Sequence, residues 1–273
     1  MAVTAIFLNS NIVKLELLSK GKIIGVATGF FLKYEGNWFL ATNWHVFSGR
    51  EPSSGMTILP NCDVPDTFRY KTMGLLANGV IWTTHEVNIG NAYEGSALWY
   101  QHPDMGQDCD VAAIRVDPSA IGLAKDILEP GGHDPDMFVD LGGDLFLPGF
   151  PLGLSSNGGM SIWKRATLAS SLEFGHSLNS HFYVDTATRE GMSGAPCLAI
   201  SNWRHYSLDR PSGKMKAVER PLSWRLLGVY SGRRNASDCF EAQIGIVWRE
   251  TLLYEVIAGG KFGSVRLGIN SAQ

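Results

Sequence analysis

Short segments of apolar–polar alternation, each closed by a turn, leave this chain few folds to choose from. Ile12-Val13-Lys14-Leu15-Glu16-Leu17 is the first. A period of two sends successive side chains to opposite faces, which describes a half-buried strand and not a helix. Lys22 to Lys33 is a second, with Gly25 and Gly29 marking a bend or a close approach of backbone. The turn Glu35-Gly36-Asn37 joins it to Trp38-Phe39-Leu40-Ala41-Thr42, predicting a hairpin. Phe68 to Leu76, Gly79 to Glu86, Ala97 to Tyr100 and Val111 to Val116 continue the series after a polar surface loop over Ser48 to Asp66. The second half uses the same grammar in Asp144 to Leu147, Ser161 to Ser170, His181 to Asp185, Cys197 to Ile200, Leu226 to Ser231 and Glu241 to Trp248. Thr251 to Ala258 is amphipathic, ends at Gly259-Gly260, and predicts a short C-terminal helix. The expectation is an all-β chain, whose frequent turns the 31 glycines and 12 prolines supply.

Pro118 to Asp140, with Pro130, Pro135 and paired glycines, reads as a linker in which Ser119 to Leu128 has room for a helical turn or two. The chain then divides into 1–117, 118–140 and 141–273. At 45% hydrophobic and 18% charged residues it has the composition of an ordinary globular protein. A net charge of −3 argues against a nucleic-acid binder. No run of 18 apolar residues offers a membrane span, and Met1 to Asn11 lacks a basic start and an unbroken apolar stretch, so neither membrane nor secretion is expected. Cys62, Cys109, Cys197 and Cys239 form no Cys-x-x-Cys pair and read as free thiols in a reducing, cytoplasmic setting. His85, His102, His133, His176, His181 and His205 have no paired-ligand spacing. No metal and no other cofactor is expected.

The chemistry-bearing stretch is Glu190-Gly191-Met192-Ser193-Gly194-Ala195-Pro196. Glycine on both sides of a serine tolerates a tight turn and leaves neighbouring N–H groups open to a ligand oxygen. A hydroxyl beside two backbone donors is what acyl transfer needs. That hydroxyl is a poor nucleophile until a base takes its proton, and imidazole, with its pKa near neutrality, is the suitable base. Ala41-Thr42-Asn43-Trp44-His45-Val46 puts a histidine at the end of a hydrophobic strand, and Cys109-Asp110-Val111-Ala112-Ala113-Ile114 puts an aspartate at the start of another. A carboxylate on the second ring nitrogen fixes the tautomer and stabilises the imidazolium.

In order and spacing, Ala27-Thr28-Gly29-Phe30-Phe31, Thr42-Asn43-Trp44-His45-Val46, Asp110-Val111-Ala112-Ala113-Ile114, Pro148-Gly149-Phe150-Pro151 and Gly191-Met192-Ser193-Gly194-Ala195-Pro196 resemble the motifs of trypsin-like (chymotrypsin-fold) serine peptidases, in their bacterial and phage branch. The resemblance runs from Gly25 to Trp248. It implies two six-stranded antiparallel β-barrels with the active site in the cleft between them. It also implies Ser193 as nucleophile, His45 as general base and acid, and Asp110 as orienting carboxylate. Asp108 lies on the same strand face and competes, but the hydrophobic run of the motif follows Asp110 directly. The oxyanion hole falls to the N–H groups of Gly191 and Ser193. Ala187 and Thr188 fall at the base of the primary specificity pocket and Gly232 and Gly245 on its walls, with Tyr230, Ser231 and Gly232 as the strand that pairs with substrate. A base without a carboxylate argues against a Lys or Arg preference, and glycine walls predict a roomy, mostly apolar pocket. Met192 stands where many zymogen-derived relatives carry an aspartate that pairs with a newly cut N-terminus, so no activation of that kind is expected.

The function implied is an intracellular serine endopeptidase acting on a protein or peptide substrate. The alternative is a gated or inactive trypsin-like fold that serves as a partner-binding module. An α/β-hydrolase reading fails because position 195 is alanine and because the order here is His45, Asp110, Ser193. Residues 201–225 form a long basic excursion with Arg204, Arg210, Lys214, Lys216, Arg220 and Arg225. It reads either as a solvated hairpin extension or as the docking surface of an activating protein partner.

Overall fold

The computed structural model describes residues 8–76, 79–124, 128, 134–172, 180–219, 222–233 and 243–267. The expected strands of the first half form as β1 (Ile12–Ser19), β2 (Lys22–Tyr34), β3 (Asn37–Thr42), β4 (Thr67–Leu76), β5 (Gly79–Asn88), β6 (Tyr100–Gln101) and β7 (Ala112–Val116). β2 and β3 pair from Tyr34 against Asn37 outward, and Glu35 and Gly36 turn the chain with φ of 46° and 81°. Two consecutive residues at positive φ match the right-handed twist of a hairpin. The second half supplies β8 (Asp144–Gly149), β9 (Ile162–Leu168), β10 (His181–Asp185), β11 (Pro196–Ser201), β12 (Arg204–Asp209), β13 (Lys214–Glu219), β14 (Ser223–Arg233) and β15 (Ile244–Arg249), followed by a helix over Glu250–Gly259 and β16 (Lys261–Phe262).

The two halves close differently. In the second, β10-β15-β14-β11-β8-β9 form a closed six-stranded barrel, as expected. The first is not a second closed six-stranded barrel. It is an eight-stranded sheet in the order β16-β6-β7-β3-β2-β1-β4-β5. Two local causes account for the difference. The β4–β5 hairpin runs out into solvent, with Leu75, Leu76, Val80 and Ile81 all exposed, so among the described residues β5 meets no further strand. At the other edge only Tyr100 of the expected Ala97–Tyr100 strand, with Gln101 beyond it, pairs with β7. Phe262 and Lys261, from the far end of the chain, then pair with them.

One hydrophobic cluster spans both halves, joining Phe30, Leu32 and Ala41 of the first sheet to Leu198, Leu226 and Val229 of the barrel. The helix over Glu250–Gly259 buries Leu252, Leu253, Val256 and Ile257, a single stripe at helical spacing. Full burial of each such side chain stabilises by about 1.5–3 kcal/mol. Leu253 and Val256 belong to the shared cluster. Gly260, at φ 55°, ends the helix in the left-handed conformation.

Within the expected linker a 3-10 turn covers Pro118–Ala120; of the Ser119 to Leu128 segment, 125–127 lie outside the described residues. The excursion at 201–225 is a hairpin of β12 and β13, paired from Arg204–Glu219 to Asp209–Lys214. β12 is tied to linker residues through Phe138 N donating to Tyr206 O at 2.6 Å and Leu208 N to Asp136 O at 2.9 Å. Asp134 accepts from His205 Nε2 at 2.5 Å and from Ser207 Oγ at 3.1 Å.

Candidate active site

β3 delivers the chain to Asn43, and a short helix over Trp44–Ser48 follows, ended by Gly49 at φ 64°. Asn43 sits at the helix N-cap, yet its side chain does not cap. It donates instead to Asp110 O at 2.7 Å, tying the helix start to the segment that enters β7. Trp44 is fully buried and its Nε1 donates to Gln101 Oε1 at 3.0 Å. The next residue, His45, is therefore held from both sides.

The carboxylate that meets His45 is that of Asp110. Its Oδ1 accepts the His45 backbone N–H at 2.9 Å, and its Oδ2 lies 2.8 Å from Nδ1. A proton on Nδ1, held by the carboxylate, leaves Nε2 as the basic nitrogen. The Asp110 side chain is 5% exposed and that of His45 20%. Asp108 is engaged elsewhere, with Arg266 at 2.8 and 3.0 Å. Burial acts to lower the pKa of His45, while the charge and hydrogen bond of Asp110 and the charge of Glu51 raise it. The raising influences prevail, so His45 titrates above the ordinary 6.5. Ser231 Oγ also donates to Asp110 Oδ2. Ser231 is the unmatched residue of a β-bulge, between Tyr230 opposite Val247 and Gly232 opposite Ile246, and a bulge re-aims a side chain in this way.

The serine loop is clamped between the two halves. Thr28 N donates to Ser193 O, and Gly194 N to Tyr230 O, each at 2.8 Å. Thr28 Oγ1 donates to Gly191 O at 2.8 Å and accepts from Phe150 N at 3.2 Å. Gly194 has φ +85°, and a Cβ there would stand 2.1 Å from Thr28 O and 2.2 Å from Thr42 Oγ1. Gly191 has φ +90°, and a Cβ there would meet Phe150 O at 2.3 Å. Only glycine fits either position. Among the described residues, the N–H groups of Gly191 and Ser193 donate to no acceptor, as an oxyanion site requires. Met192 is fully buried in the barrel core, where Gly149 leaves room for its sulfur.

His45, Asp110, Gly191, Ser193, Ser231 and Gly232 line one cleft of ≈ 770 Å³. A Cβ at Gly232 would be 3.9 Å from Ser193 Oγ. Nε2 of His45 and Oγ of Ser193 are not hydrogen-bonded to each other. The expected specificity pocket is not an open space. Ala187 is exposed and does not floor it. Thr188 is buried, and its hydroxyl is bonded to the Tyr230 phenol. The Tyr230 ring lies where a Cβ on Gly245 would go, 2.5 Å from its Cε2. Ser231 faces Asp110, and of the expected substrate-binding residues Ser231 and Gly232 line the cleft.

Thr28, Asn43 and Glu51 were not anticipated as parts of the site. Asn43 and Thr28 stand inside the motifs that carry His45 and Gly29, so adjacency was a usable signal; nothing local marks Glu51. The basic residues of the 201–225 excursion are partly committed, Arg210 to Asp136 at 2.5 Å, Arg204 to Glu219 at 3.9 Å and Arg225 to Met137 O at 2.9 Å. Arg220, His133, His176 and Cys239 lie outside the described residues.

No family profile matches the chain, and no curated protein matches it. Solved structures do. A serine endoprotease from Yersinia pestis is 12% identical, with a TM-score of 0.49 over 92% of this chain and 62% of that one. This chain thus spans less than two thirds of the Yersinia protein. The Rv3671c protease from M. tuberculosis, in its active form, is 15% identical, with a TM-score of 0.45 over 97% of this chain and 86% of that one. By structure the chain is similar to bacterial trypsin-like serine proteases, at low sequence identity.

Proposed function

We propose that the protein is a serine endopeptidase that cleaves peptide bonds through an acyl-enzyme on Ser193. The observation that carries this reading is the shared cleft, lined both by Ser193, with the uncommitted amides of Gly191 and Ser193, and by a histidine whose Nδ1 is held by a buried carboxylate. Ser193 Oγ attacks the carbonyl carbon as His45 Nε2 takes its proton. Asp110 keeps the Nδ1–H tautomer and stabilises the imidazolium. The developing oxyanion accepts from the amides of Gly191 and Ser193, a donor of this kind contributing about 3 kcal/mol to the transition state. His45 then protonates the leaving amine, and water, deprotonated by the same nitrogen, releases the acyl group. Substrate backbone would run beside Gly232, where a Cβ would stand 3.9 Å from Ser193 Oγ.

Among the described residues the thiols of Cys62, Cys109 and Cys197 are free. Burial pushes Cys109 and Cys197 up, which keeps them protonated and unreactive. They support a reducing, cytoplasmic setting. There a broadly active peptidase would damage its own cell, so we place its activity on a narrow set of substrates.

A second reading is a gated enzyme or partner-binding module, favoured by the unmade His45–Ser193 hydrogen bond. Catalytic hydrogen bonds are often formed only in the substrate complex. The docking face in this reading is the hairpin of β12 and β13, where Lys214 and Lys216 are exposed.

Fluorophosphonate labelling of wild type and Ser193→Ala, read by intact mass, tests both. One adduct on wild type and none on the variant is expected, together with a fall in peptide hydrolysis on the order of 10⁴–10⁶ in the variant. No adduct on wild type would refute a constitutive site. Labelling that appears only after a partner is added would establish the gated reading.

A further inference from the structure

We infer that Tyr230 fills the primary pocket, so that the residue on the acyl side of the cleaved bond must be small: glycine, alanine or serine. This rests on the peptidase reading above and assigns its substrate class.

The argument begins with the position of Tyr230. Its backbone brackets the serine loop, accepting from Gly194 N and donating to Ala195 O, each at 2.8 Å. The next two residues belong to the reacting centre, Ser231 through Asp110 and Gly232 through its approach to Ser193 Oγ. The leaving amine takes its proton from His45, which the first sheet carries. The acyl part of a substrate therefore lies over the barrel, on the side of Thr188, Tyr230 and Gly245.

On that side the space is taken. The Tyr230 ring is fully buried and Thr188 is 2% exposed. The phenol is anchored at its tip by the Thr188 hydroxyl. Along its edge it occupies the room that glycine leaves at 245, its hydroxyl 3.1 Å and its Cε2 2.5 Å from where a Cβ would stand. None of Thr188, Tyr230 and Gly245 lines the open cleft. A phenol hydrogen-bonded at one end and packed against glycine is a filled site, since protein interiors hold few voids. A leucine or phenylalanine side chain would need the volume that the ring already has. One methylene in a fixed pocket changes kcat/KM by about 10- to 200-fold, and here several carbons have no room.

The test uses the full chain and fluorogenic peptides that differ only in the residue before the cleaved bond: Gly, Ala, Val, Leu or Phe. Wild type should favour Ala or Gly over Leu and Phe by about a hundredfold or more in kcat/KM. Tyr230→Ala should reverse that order, and Tyr230→Phe, which keeps the ring and loses the hydroxyl, should keep it. Equal cleavage of Ala and Phe peptides by wild type would overturn the inference. So would a folded Tyr230→Ala with no gain on Leu or Phe. If Tyr230→Ala does not fold, Tyr230→Val makes the same comparison. Absence of both labelling and cleavage in every protein would refute the peptidase reading instead. The plug is then judged by crystals soaked in indole. Indole beside Thr188 in the Ala or Val variant, and not in wild type, upholds it, and an indole-free site in the variant overturns it.

Discussion

The loop that carries Ser193 and the hairpin formed by β12 and β13 both leave the barrel as polar, glycine-bearing excursions, and they differ in what their backbones are bonded to. The serine loop is bonded outward at several points, Glu190 O to Leu152 N, Ser193 O to Thr28 N and Gly194 N to Tyr230 O. Among the described residues the outer strand of the hairpin pairs only with its neighbour β12, and nearly all of it is exposed. Polarity and glycine content do not separate a fixed excursion from a free one. The separation lies in how many of the backbone groups are committed to other elements, because each commitment removes an alternative conformation.

The comparison predicts a steep gradient of effects. Asp110→Asn should lower kcat by about 10⁴, because an amide at 110 can no longer hold the Nδ1–H tautomer; stopped assays with a peptide substrate will measure it, and a loss under tenfold would break the assigned role. Gly194→Ala should cost about 3 kcal/mol or more in urea unfolding, since it combines a left-handed backbone with contacts near 2 Å at Thr28 and Thr42. Glu51→Gln should act only through charge. His45 titrates above 6.5, and as a base it works when neutral, so activity is lost as pH falls through that raised value. Removing the Glu51 charge should move this acid limb of kcat/KM to lower pH, by less than the loss of Asp110 would. Lys214→Ala and Lys216→Ala, on the free excursion, should change stability by under about 0.5 kcal/mol and leave peptide cleavage unchanged. An effect seen only with a partner present would sharpen the comparison, marking the hairpin as a surface for others.

The raised titration of His45 also sets stability and activity against each other. A group with a raised folded pKa contributes its stability below its unfolded pKa and loses it as pH rises through the folded one. The His45–Asp110 contact thus stabilises the fold most at pH values where His45 is protonated and cannot act as base.

Much of this was legible in the chain. Strands β1 to β5 follow from alternation and turn residues, and the motif residues His45, Asp110 and Ser193 do line a single cleft. Closure of the sheets was not legible. Whether β5 finds another partner depends on contacts across the whole domain and not on its own residues. The direction of Tyr230 was hidden for a different reason. Its strand leaves Leu227 unmatched opposite β11, and one extra residue reverses which face every later side chain occupies. Glycine at 232 and 245 therefore suggested an empty pocket, whereas Gly245 makes room for a ring from the same barrel. The hairpin of β12 and β13, one of the two readings of 201–225, was legible in the alternation of Arg204-His205-Tyr206-Ser207-Leu208-Asp209.

The last described strand has a consequence for the order of synthesis. Gln101 receives the Trp44 indole N–H and the Ser264 backbone N–H, and donates to Ser264 Oγ. The support beneath the His45 helix therefore includes a residue 163 positions later than Gln101. At about 5–20 residues per second a ribosome takes roughly ten to thirty seconds to cover that interval. During that time the nascent chain carries His45 and then Ser193 without the strand that completes the sheet behind the histidine. Translation itself thereby sets the earliest moment at which the sheet behind His45 can be completed.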